Sequence, residues 1–207
     1  MNTKKAKTKI TAAELMERLQ KDKEYTGIMK EKEEKLKEFQ ELLNKDEQPI
    51  IKDIEKVGIK INSVWDLVNT SKTYPVAIPL LIKHLKKNYH QRTKAGIARA
   101  LAVPEARESA WEVLLDEYNK AISDEEIEDP KKRGYKDGLA AAISFLADKS
   151  RMDIIFELVR DKRHGKSRVF FVENLFKLRE EAEVMQIVLK IKGDKDLATA
   201  IKEKFKI

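Results

Sequence analysis

A shift of 74 residues lays one pair of helical patterns onto another. Ala77 to Leu85, AIPLLIKHL, reads as an apolar helix; a polar turn follows from Lys86 to His90, then an alanine-rich helix over 93–102. Moved forward, Leu81 falls on Ile155, Leu85 on Val159, Ile97 on Phe171 and Leu101 on Leu175. Apolar positions that coincide under a fixed shift, with helical spacing inside each copy, mark stacked units that bury their apolar faces only against their neighbours. A chain of this kind is confined to a helical array.

A middle copy lies between these two. A shift of 42 puts Lys94 on Lys136, Gly96 on Gly138 and Ile97 on Leu139, and a further 32 puts Lys136 on Arg168. Its first helix runs from Ser109 to Tyr118, and its excess length falls in the loop 123–133, SDEEIEDPKKR. A sparser pair over 182–191 and 195–204 suits a terminal cap. Two similar segments, HQRTK from His90 and HGKSR from His164, become equivalent turns of this repeat. HGKS is no phosphate loop, because Arg160 stands where the first glycine is required and a helix precedes it in place of a strand.

The N-terminal part is helical too. Thr11 to Glu14 is a capping box that starts a Glu/Lys-rich run to about Asn44, with a break expected at Tyr25-Thr26-Gly27. Pro49 is expected to open a helix from Ile50 to Val57 that Gly58 closes, and Asn62 or Ser63 to cap the next. No long stretch alternates as a strand would, so the expected class is all-α. The division expected is a lysine-rich tail over 1–10, a helical cap over 11–70 and repeats over 71–207.

Helix pairs at this spacing, with Pro79 in a first helix, an Asp-to-Arg span from Asp161 to Arg168 and alanines in the second helix, resemble HEAT repeats. WDLVNTSKTYPVAIPLLIKHL, followed by GIARALAVPEAR, is also similar to HEAT-repeat proteins of bacteria, and the likeness covers roughly residues 64–191. The resemblance implies a right-handed superhelix with first helices outside and second helices lining a concave face. Most such proteins are scaffolds for other proteins; a minority are alkylpurine DNA glycosylases or bilin lyases. The aromatic and aspartate cluster of those glycosylases has no match here, since Trp65 and Trp111 fall in different first helices.

Charge and composition narrow the function further. Of the net charge of +7, Lys4, Lys5, Lys7 and Lys9 supply four with no acid among the first ten residues, so the remainder is mildly basic. Without cysteine there are no disulfides, thiolate metal sites or Cys nucleophiles. No apolar stretch reaches the length of a membrane span and no secretory signal opens the chain, so the cytoplasm is expected. His90 and His164 stand in separate repeats without companions at metal-ligand spacing, so turn histidines are expected, with neither metal nor cofactor. The loop 123–133 lacks the ligand spacing of a calcium loop.

Arg92, Lys94, Lys136, Lys166 and Arg168 all stand at the starts of second helices, so stacking should line them into a cationic ladder along one edge of the concave face. Arg99 lies farther along one of these helices, and Phe170 should offer an apolar contact between Lys166 and Arg168. The expected function is non-catalytic recognition of an acidic protein partner. The alternative is binding of a DNA or RNA backbone by the same ladder. Against both stands internal pairing, with Asp161 as the expected acid for Arg168.

Overall fold

The structure, a computed structural model, describes residues 10–207, so the lysines of the tail lie outside the described residues. Among the described residues all regular structure is helical, with no strand. The helices are α1 (Ala12–Lys21), α2 (Lys23–Lys56), α3 (Trp65–Val68), α4 (Ile78–Leu85), α5 (Gln91–Ala100) and α6 (Arg107–Lys120). They continue as α7 (Tyr135–Leu146), α8 (Met152–Arg160), α9 (Val169–Lys177), α10 (Ala182–Ile191) and α11 (Ala198–Phe205). No helix among the described residues is long and apolar enough to cross a membrane.

The capping box at Thr11 forms: the Thr11 hydroxyl accepts the Glu14 N–H at 3.3 Å and the Glu14 carboxylate accepts the Thr11 N–H at 2.9 Å. The expected break at Tyr25–Gly27 does not occur. The chain breaks at Asp22, whose carboxylate accepts the N–H groups of Glu24 and Tyr25 and so starts α2. Nor does Pro49 open a helix; α2 runs through it. Pro49 has no N–H to offer the Lys45 carbonyl, and both residues are exposed, while burial of Ile50, Ile51 and Ile54 holds the next turn in place. Gly58, at φ +85°, closes α2, its N–H reaching the Glu55 carbonyl at 2.9 Å.

Contacts divide the chain into two units, Met1–Leu42 and Leu43–Ile207. Among its described residues the first buries none, and Leu15, Met16, Ile28, Met29 and Leu36 are exposed on its amphipathic helices. The second holds the core. Ile50, Ile54, Val64 and Leu67 belong to one apolar cluster with Tyr74 and all that follows, so residues 43–70 pack with the helix pairs.

Within this second unit α4 packs on α5, α6 on α7 and α8 on α9, while α3, α5, α7, α9 and α11 touch one another in chain order. Leu81, Leu85, Ile97, Leu101 and their counterparts Ile155, Val159, Phe171 and Leu175 are all fully buried. Two glycines let the helices approach closely. A Cβ on Gly96 would lie 2.6 Å from a Val64 methyl, and one on Gly138 would lie 3.1 Å from the Ala95 carbonyl oxygen.

Candidate functional site

Of the bases at the second-helix starts, Lys94, Lys136 and Arg168 turn inward. Lys94 is half-buried on α5; its Nζ donates to Glu117 of α6 at 2.8 Å, and the Tyr135 hydroxyl donates to the same carboxylate oxygen at 2.5 Å. Burial alone would raise the Glu117 pKa, but these two hydrogen bonds hold it below the usual carboxylate range. The ammonium also stands 4.5 Å from the Tyr135 ring centre, a cation–π contact. Lys136, only 3% exposed, donates to the Ala121 carbonyl at 2.6 Å and lies 5.0 Å from the Tyr118 ring centre. Burial pushes its pKa down, against the pull of Glu126, Asp161 and Asp124.

Arg168 is the most enclosed, at 1% exposure. Its guanidinium grips Asp194 through both terminal nitrogens, at 2.9 and 3.1 Å, and reaches Asp196 at 3.2 Å. It also donates to the Gly165 and Val159 carbonyls. The expected pair with Asp161 does not form. Asp161 is occupied by Arg163, which holds its carboxyl down to about 2, while Asp194 and Asp196 come from the turn between α10 and α11. Arg168 therefore ties one helix pair to the next. Phe170, the apolar contact expected between Lys166 and Arg168, packs partly buried against the core, while Arg168 is enclosed.

Three of the predicted cations look outward or along the surface. Arg92 is exposed, its guanidinium 4.6 Å from the Trp65 ring centre. Arg99 is half-buried near Asp137, and Lys166 is exposed. Phe170 is half-buried, its carbonyl taking the Ser144 hydroxyl at 2.9 Å. The outward apolar side chains on the second helices are instead Phe145, 51% exposed, and Val169, 37% exposed. Helical spacing does not single these out, because Phe145 adjoins the buried Leu146 and Val169 opens an apolar run that continues into the buried Phe171 and Val172.

The acidic segment 123–133 folds back over this edge. Its turn Asp124–Glu126 packs on Lys162–Arg168, and its turn Pro130–Lys132 packs on α5. Asp124 accepts the Gly134 N–H at 2.8 Å just before α7. Ser123 donates to Glu125, and both meet the backbone of Gly165, which adopts φ +59° and ψ −142°. A Cβ there would lie 2.5 Å from the Ser123 hydroxyl oxygen and 2.7 Å from a Glu125 carboxylate oxygen. HGKSR thus carries a glycine where the loop touches down. Beside the loop a cavity of about 520 Å³ is floored by Lys94, Glu117 and Tyr135 and walled by Ile122 and Ile127.

The two turn histidines have diverged. His90 caps α5, its Nδ1 accepting the Arg92 N–H at 3.1 Å. His164 is buried and stacked on Tyr118 at 4.3 Å between ring centres, with neither ring nitrogen hydrogen-bonded. Burial and the charges of Lys136, Arg163 and Arg168 hold its pKa down to about 4, so the ring is neutral. A third histidine, His84, bridges Tyr89 at 2.7 Å and Asp53 at 3.1 Å inside the core, a pairing that no sequence spacing revealed. Among the described residues no group of three or more His, Asp or Glu is arranged to hold a metal ion. Neither family models, nor curated proteins, nor solved structures yield a match to this chain.

Proposed function

We propose that the helix pairs form a HEAT-like right-handed solenoid and serve as a non-catalytic scaffold that receives an acidic segment of another protein on the layer of second helices. The observation that carries this reading is the surface left on that layer. Phe145 and Val169 expose apolar area on α7 and α9, while Arg92, Arg99 and Lys166 make no ion pair among the described residues. Apolar anchors bordered by cations suit an acidic chain with a few hydrophobic residues, since the anchors supply affinity and the charges supply orientation and encounter rate.

A nucleic-acid backbone needs a continuous row of free cations. Lys94, Lys136 and Arg168 are spent on partners inside the fold, which weakens that alternative. The discriminating experiment is affinity capture with Phe145→Asp and Lys166→Glu beside Lys83→Glu on α4. A specific acidic protein retained by the wild type and by Lys83→Glu, and lost with the other two, is the expected result. Binding to duplex DNA that weakens linearly in log salt, with no such protein captured, would overturn the scaffold.

A further inference from the structure

We propose that the Gly165 turn is a docking point for a carboxylate of an acidic peptide, and that Glu125 of the protein's own 123–133 segment occupies it as an internal stand-in. This rests on the scaffold reading and adds the identity of the ligand group and a competitor for it.

The segment is longer than its connection needs. Lys86–His90 suffices to join α4 to α5, and Lys192–Leu197 to join α10 to α11, yet Ala121–Gly134 joins α6 to α7. The added length is acidic, with Asp124, Glu125, Glu126, Glu128 and Asp129, and it lies against the starts of second helices where the bases stand. Its touchdown is specific. The bare backbone at Gly165 admits Ser123 and Glu125 to distances a side chain would forbid. Although burial opposes ionisation of Glu125, hydrogen bonds from Ser123 and the Lys166 backbone N–H favour it, as does the Lys166 charge.

The seat is held by polar contacts, with Ser123 buried and Asp124 on the Gly134 N–H, and by little apolar burial. Glu125 and Glu126 are exposed, Ile122 is 63% exposed and Ile127 only half-buried, so lifting the turn exposes little apolar surface. A cavity of about 520 Å³ continues from Glu125 past Gly165, lined by Lys162, Arg163 and Lys195 and by Glu126, Asp194 and Asp196; Arg163 is held by Asp161, and Asp194 and Asp196 are held by Arg168. Lys162 and Lys195, which make no ion pair among the described residues, are the cations open to further acids of a bound peptide, and a tethered loop competes at high effective concentration with any ligand of the same chemistry.

The test uses the full chain and a labelled synthetic peptide of residues 122–133, ISDEEIEDPKKR. Ser123→Ala with Glu125→Gln frees the seat without shortening the loop. If the loop is seated about nine-tenths of the time, this variant binds the peptide about tenfold more tightly than the wild type. Adding Gly165→Ala should abolish the gain, as should Gln at the Glu125 position of the peptide. A folded double variant, with helical circular dichroism unchanged, that binds the peptide no better than wild type would overturn the proposal. Should that variant lose helical signal, Glu125→Gln alone carries the same comparison. No partner protein enters this measurement, so its failure leaves the scaffold standing, and absence of a captured partner sinks the scaffold without bearing on the peptide affinity.

Discussion

A guanidinium as enclosed as that of Arg168 survives burial because two carboxylates and two carbonyls receive its protons. Replacing it with Met strands Asp194 and Asp196 beside an apolar side chain, and we expect a loss of ~3–5 kcal/mol in urea unfolding. Lys166→Ala, two residues away and exposed, should change stability by less than ~0.5 kcal/mol. An equal effect at the two positions would refute this division of roles. His164 predicts a pH response. Its pKa is about 4 in the fold, against ~6.5 when unfolded. The unfolded chain therefore takes up the proton first, and stability declines by up to ~1.4 kcal/mol per unit as pH falls from about 6.5 toward about 4. His164→Phe keeps the ring on Tyr118 and should flatten that decline between pH 7 and 5. The Asp161 carboxyl, at about 2, acts only at lower pH. At this scale the sequence showed where cations recur. It could not show that Lys94 meets Glu117 or that Arg168 meets Asp194, because packing of separate helices sets those pairs.

The elements themselves were legible wherever the signal was local. The Thr11 box, the Gly58 stop and the apolar positions of α4 to α9 depend on neighbours within a turn or two, and each appears as read. Pro49 was misread because burial of Ile50, Ile51 and Ile54 outweighs one lost hydrogen bond, and Gly27 because a single glycine costs less than the capping at Asp22 secures. Gly96 tests whether close helix approach matters more than helix propensity. Alanine there gains ~1 kcal/mol of propensity but drives its Cβ into Val64 and Trp65, so net destabilisation of ~1–2 kcal/mol is expected. Gly27→Ala, with open space around it, should leave the unfolding midpoint unchanged and strengthen the helical signal. Stabilisation by Gly96→Ala would mean that α3 yields to α5 without strain.

On the scale of the whole molecule, cooperative stability belongs to Leu43–Ile207, which contains every buried apolar residue among the described ones. Deleting residues 1–42 should shift the thermal midpoint by less than about 4 °C, the response to roughly 1 kcal/mol at this size. Deleting residues 1–60 removes Ile50, Ile51 and Ile54 and should abolish a single sharp transition in calorimetry. A large shift from the shorter deletion would place part of the folding unit before Leu43. The helical class, the paired register from Tyr74 onward and the eight coincident core positions were determined by the sequence alone, since periodicity is a local property that burial then satisfies. Only the tertiary structure decided where the charge of the ladder goes. Lys136 meets the Ala121 carbonyl, Arg168 the Asp194 turn, and an acidic loop comes to rest on Gly165. Each such partner is chosen by distance in space, and desolvation holds a buried cation to whichever carboxylate or carbonyl the packed helices bring within reach.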